Sequence, residues 1–120
     1  MKGLMQDVPL TMPFIFRRAA RDSATKAVVS APDLRTTWGE TAERSKRLAG
    51  ALDRLGLKRG DRVASFAWNT HKHVELYLGV PCSGRVLHTA NVRLHADQLA
   101  WMMGHASDRV VFLQRQGWTA

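Results

Sequence analysis

The chain has 120 residues, 45% of them hydrophobic and 23% charged, which suits one small domain and excludes both two domains and a disordered chain. The formal net charge of +8 raises the question of nucleic acid or an anionic surface as partner. Cys82 is the only cysteine, so an intrachain disulfide framework is excluded and a reducing, cytoplasmic location is expected.

Residues 1–10 have no periodicity and read as an extended arm. Gln6, Asp7, Pro9 and Pro13 interrupt any apolar run, so no signal peptide is expected. Thr11 can cap a helix with Pro13 in its first turn, where a missing N–H is harmless. Lys26 to Ser30 and Arg35 to Trp38 read as two strands of a hairpin around a Pro32-Asp33 turn. Thr37 and Glu40 have capping-box spacing, and the helix they open runs to about Leu55. Its apolar stripe is Thr41, Ser45, Leu48, Leu52 and Leu55, and Gly56 stands where a left-handed residue is wanted.

Val63 to Ala67 is an apolar strand with little alternation, the pattern of a sheet covered on both faces. Asn69 or Thr70 caps a helix from His71 to about Ser83, whose last turn Pro81 distorts. The charge-free stretch from Leu76 to Gly84 is too short to span a bilayer. Val86 to Thr89 is a second core strand, and residues 91–94 are a loop. Asp97 to His105 is a helix with Leu99, Met102 and Met103 toward the core. Arg109 to Leu113 is a third strand. Right-handed crossovers make the three strands parallel neighbours. The fold class is therefore α/β, a short β-hairpin followed by a βαβαβ parallel layer.

The chain contains no Walker loop, no Gly-x-Gly-x-x-Gly and no Gly-x-Ser-x-Gly elbow. A small flavodoxin-like enzyme ranks last for that reason. His71 and His73 are two apart on a helix and cannot chelate one metal together. His88, His95 and His105 have no cysteine partners at zinc spacing, so all five histidines read as surface or helix-end residues. His71 and Glu75 can pair at i,i+4. Cys82 reads as a small buried hydrophobe. Trp38, Trp68 and Trp101 read as core or interface residues, and Trp118 lies in the tail. The basic residues scatter, and the two clusters, Arg17-Arg18-Arg21 and Arg44-Lys46-Arg47, fall on helices as solvated faces. No nucleic-acid partner is expected on that reading. A small stand-alone basic module for nucleic acid or an acidic partner is the alternative function.

An ordered set of segments resembles the amino-terminal region of the AMP-binding acid–CoA ligases, above all the medium- and long-chain fatty acid members. The segments are residues 37–40 (Thr-Trp-Gly-Glu), 47–52, 55–64 with its Gly-Asp-Arg-Val, 68–71, 75–77, 80–84, 87–94 and 108–112. His95 departs from the family's usual serine or similar cap. The resemblance implies residues 1–113 as part of the large N-terminal domain of an acyl-adenylate-forming enzyme, with 114–120 a tail outside the family pattern. That tail reads as a premature end or a shifted reading frame. The implied parent reaction activates a fatty acid with ATP to an acyl-adenylate and passes it to CoA, with ATP, Mg and CoA as cofactors. The family's nucleotide loop, its Tyr-x-x-Thr-Glu segment, its ribose-binding aspartate and its mobile-domain lysine have no counterpart in these 120 residues. The expectation is therefore no catalytic, cofactor-binding or metal residue in this chain. The implied partners are a second copy or the missing ligase segments.

Overall fold

A computed structural model describes residues 3–31 and 34–114. The predicted Pro32-Asp33 turn, and the tail from residue 115 with Trp118, lie outside the described residues. In chain order the elements are α1 (Met12–Asp22), β1 (Ala27–Ala31), β2 (Leu34–Thr37), α2 (Trp38–Arg54), β3 (Arg62–Phe66), α3 (His71–Cys82), β4 (Val86–Thr89), α4 (Ala96–Ala106) and β5 (Val110–Leu113).

The hairpin is antiparallel, and its register slips between Val29 and Ala31. The extra residue is Ser30, and a bulge re-aims its side chain. Ser30 Oγ accepts from the backbone N–H of His71 at 2.9 Å, so the hairpin caps α3 from a distance. Thr70, one of the two expected caps with Asn69, holds the N-cap position but makes no side-chain cap bond, and neither does Thr11 at α1. Trp38 belongs to the helix rather than to β2.

The helix α2 begins in the predicted capping box. Thr37 Oγ1 accepts from the Glu40 N–H at 3.2 Å, and Glu40 Oε2 accepts from the Thr37 N–H at 2.8 Å. At its other end Gly56 has φ +76°, Leu57 donates to Leu52 C=O and Gly56 to Asp53 C=O, a Schellman closure. That closure turns Leu55 out, at 63% exposure, and buries Leu57 in its place. The stripe thus loses Leu55 but keeps Thr41, Ser45 and Leu52 as buried residues. Thr41 Oγ1 and Ser45 Oγ donate to carbonyls one turn back, at 2.9 and 2.8 Å, so both hydroxyls enter the helix contact satisfied.

The sheet order is β4-β3-β5, all parallel, with Val63 opposite Leu87 and Val110. Val63, Leu87, Val110 and Phe112 face α2 and α3, and join Leu48, Leu52, Leu57, Leu76 and Val80 in the core. Pleating puts Ala64, His88, Val111 and Leu113 on the opposite face. Because β4 and β5 flank β3 on either side, right-handed crossovers carry α3 over the first face and α4 over the second. The helix α4 has no fully buried residue. Leu99, Met102 and Met103, expected in the core, are only half-buried. Periodicity reported which side of this helix is apolar, and too little structure covers that side to bury it.

Candidate functional site

In open α/β sheets, ligands favour the crevice outside the carboxyl ends of the strands. Here two cavities open at that edge. One, of about 450 Å³, lies between α2, the start of α3 and the end of β5, lined by Arg44, Lys72, His73, Glu75, Phe112 and Gln114 among others. The other, of about 370 Å³, lies between the turn after β3 and the loop after β4, with Trp68, Asn69, Tyr77, Asn91 and Arg93 in its wall. His73 borders both.

His73 is buried, not the surface residue the sequence led us to expect. Its Nε2 lies 3.0 Å from the Oγ of Ser65, and its ring packs against Tyr77. Nδ1 is buried without a hydrogen bond of normal geometry. The neighbouring Trp68 carbonyl already accepts from the Thr70 N–H. Burial pushes the His73 pKa below its ordinary 6.5, and Trp68 opposes that shift. A serine and a histidine in contact invite comparison with a nucleophile and its base. Ser65 has no exposed surface, however, so no substrate atom can reach its oxygen. The pair is a core hydrogen bond that ties α3 to β3.

The carboxylates are similarly committed. Glu75 pairs with Arg44 across the helix contact at 2.5 Å, and not with His71 as i,i+4 spacing anticipated. Arg44 reaches it from α2, while His71 lies at the helix entrance against the hairpin. Asp53 pairs with Arg85 at 2.6 Å, and Arg85 also donates to the Leu57 carbonyl. Asp108, with 1% of its side chain exposed, pairs with His88 at 2.8 Å. Each contact joins residues at least 20 positions apart in sequence, so local spacing carries no signal of any of them. Among the described residues no group of three His, Cys, Asp or Glu could hold a metal ion. The donors present do not fit a magnesium–nucleotide complex: among the described residues Glu75 already faces Arg44, Asp53 faces Arg85 and Asp108 faces His88.

The remaining expectations divide. Cys82 is half-buried, and burial raises its thiol pKa against the smaller opposing effect of Arg17. Trp38 is half-buried, but Trp68 and Trp101 are 42% and 70% exposed. Trp68 belongs to the turn after β3, and Trp101 stacks on His105 on the outside of α4. The clusters Arg17-Arg18-Arg21 and Arg44-Lys46-Arg47 are exposed; Arg21 pairs with Asp22 and Lys46 with Glu43. Among the described residues no helix is long and apolar enough to cross a membrane.

Comparison with known proteins shows where such a scaffold occurs. The chain is 39% identical over 116 residues to a 3-methylmercaptopropionyl-CoA ligase of Ruegeria lacuscaerulensis, covering 93% of this chain and 22% of that protein. It is 41% identical over 111 residues to a long-chain-fatty-acid–CoA ligase of Thermus thermophilus, covering 89% of this chain and 20% of that one. It thus spans about a fifth of the length of these curated relatives. The solved N-terminal domain of FACL13 from Mycobacterium tuberculosis superposes with a TM-score of 0.80 at 27% identity, over 86% of this chain and 26% of that one. These relatives are ligases and lend no support to a nucleic-acid module. The family model described as AMP-binding enzyme matches residues 15–119, and the chain belongs to that family.

Proposed function

We propose that the chain is a scaffold segment of a fatty acid–CoA ligase, acting in the cytoplasm as part of the large N-terminal domain. The parent reaction joins a fatty acid carboxylate to ATP, releases diphosphate, and transfers the acyl group from AMP to the CoA thiol. The observation that carries this reading is the match across 93% of the chain to an acid–CoA ligase, in a segment where Glu75 and Asp108 are engaged by Arg44 and His88. Residues 1–120 contribute no catalytic, nucleotide-binding or metal-binding side chain on this reading. They shape the sheet on which other ligase segments place ATP, Mg and CoA. The chain works by pairing with those segments, and self-association is the competing use of the same surfaces.

A chimera tests it. The matched fifth of the Thermus thermophilus ligase is replaced by this chain, and fatty acyl-CoA formation is measured with ATP and CoA. The chimera is expected to retain thioester synthesis, and the isolated chain to give none above a no-enzyme control. An inactive but folded chimera, or thioester formation by the isolated chain, overturns the proposal.

A further inference from the structure

We infer that the cavity between α1, α2 and α3 is a binding site for a small organic carboxylate with an apolar body of about six to eight carbons. The site lies among the outer helices, so it stands or falls independently of the scaffold reading above. Its size, its lining and the charge at its rim point to that ligand class.

The cavity has a volume of about 200 Å³ and forms where α1 packs against both α2 and α3. Small residues leave the space: Ala49 on α2 and Gly79 on α3 both stand in its wall. Gly79 already brings α3 against the Ser45 carbonyl and Leu48 of α2, so these two helices cannot close further. Drug-sized ligands occupy pockets of about 300–1,000 Å³, which is more than this site offers. An apolar cavity of about 150 Å³ takes one benzene ring. A third more volume takes a ring or chain of up to about eight carbons.

The wall is apolar. Phe16 of α1 and Ala49 of α2 are half-buried, and Leu78 of α3 is buried. Two hydroxyls reach the wall, and both are spent: Ser45 Oγ donates to the Thr41 carbonyl and Ser83 Oγ to the Val80 carbonyl, each at 2.8 Å. A polar ligand body would leave its own groups unpaired there, whereas an apolar body loses nothing. Cys82 completes the wall as a half-buried thiol. Burial raises its pKa, so it serves as lining and not as a nucleophile.

The rim is cationic. Arg17 and Lys46 border the cavity, and none of the described acids does. Arg18 and Arg21 face Asp22, but Arg17 has no acidic partner among the described residues. Lys46 faces Glu43 at 2.7 Å with both side chains more than half exposed, and such a pair contributes little and exchanges readily. Arg17 opposes the rise in the Cys82 pKa, so its charge acts at the cavity itself. The last carbonyls of α3 accept from the N–H groups of Ser83, Gly84 and Arg85, which blunts the negative end of that helix. A carboxylate at the rim therefore meets a free guanidinium while its apolar body meets carbon. A cation of the same shape would face two like charges.

Because Cys82 is the only cysteine, its alkylation reads this cavity alone. The 120-residue chain is treated with iodoacetamide, a neutral reagent, in the presence of phenylacetate, hexanoate or phenylethylamine, against sodium chloride of equal ionic strength. Mass spectrometry gives the alkylation rate. Phenylacetate or hexanoate is expected to slow it about fivefold and to saturate, and phenylethylamine is expected to leave it unchanged. Arg17→Gln is expected to raise the half-protecting carboxylate concentration about tenfold, since it removes the charge-assisted contact. Ala49→Leu is expected to abolish protection by filling the cavity. Arg35→Gln removes the same charge from an exposed position of β2 that does not line the cavity, and is expected to behave as wild type. Arg17 is exposed, so circular dichroism of Arg17→Gln is expected to match wild type even if Ala49→Leu fails to fold. Absence of protection by both carboxylates, equal protection by phenylethylamine, or undiminished protection in Arg17→Gln overturns the site.

Discussion

At Gly79 the packing of α2 on α3 rests on a missing atom. A Cβ there would meet the Ser45 carbonyl and Leu48 Cδ2, each at 2.9 Å. Helix propensity alone favours alanine by about 1 kcal/mol. The Ser45 carbonyl is backbone and cannot swing aside, so overpacking wins, and Gly79→Ala is expected to lose about 1–2 kcal/mol in urea denaturation. Gly50→Ala is the control: its nearest neighbour is Arg54 Nη1 at 3.8 Å, so a gain of up to about 1 kcal/mol is expected. His73 gives a prediction in pH. Its pKa is depressed by burial, so the folded chain holds it neutral while the unfolded chain protonates it near 6.5. Its stabilisation is therefore complete above about pH 6.5 and is lost as pH falls from there toward the lower folded value. The urea midpoint of the wild type is expected to fall between about pH 7 and pH 5.5. In His73→Gln that fall should shrink. An unchanged pH slope in the variant would show that His73 is not the group responsible.

At the scale of elements, the ends of α2 and α3 show which interactions sequence spacing can carry. Thr37 and Glu40 exchange bonds within three residues, so their spacing alone announces them, and Thr37→Ala is expected to cost about 1 kcal/mol. Thr11 stands at a helix start too, yet its side chain makes no cap bond, and Thr11→Ala is expected to stay within about 0.5 kcal/mol. Thermal unfolding of the two variants side by side distinguishes a true cap from a cap-like residue type. The start of α3 shows the reverse. Its cap is Ser30, 41 residues earlier, brought there by a bulge that no local pattern encodes. Strands and helices were legible because turn residues and apolar periods are local. The pairs Arg44–Glu75, Ser65–His73 and His88–Asp108 were not, because only the assembled sheet and helix layer brings them together. The same limit explains Leu99 and Met102: a period identifies an apolar face without saying what meets it.

For the molecule as a whole, charge and exposed apolar surface make separate predictions. The net charge of +8 is scattered along the chain, and Arg21 and Lys46 of the two basic clusters pair with acids, so DNA binding should be weak, without sequence preference, and lost steeply as salt rises. Submicromolar binding at physiological salt, measured by fluorescence anisotropy, would contradict that. The apolar surface points toward association. The radius of gyration is 16.5 Å, against about 14 Å for a compact domain of this length. Residues Leu4, Met5 and Leu10 of the arm are almost wholly exposed, and so to a lesser degree are Trp101 on α4 and Leu113 on β5. An intact domain has only about 5–15 kcal/mol of net stability, and a three-stranded layer open on one side starts with less buried area to supply it. Covering that side with a second chain both removes apolar surface from water and pairs an exposed strand edge. The isolated chain is therefore expected to sediment as concentration-dependent oligomers and to unfold broadly, with Leu113→Lys shifting the distribution toward monomer. A monodisperse monomer with a sharp, reversible thermal transition would show instead that the open face is stable in water and that the segment folds as an autonomous domain.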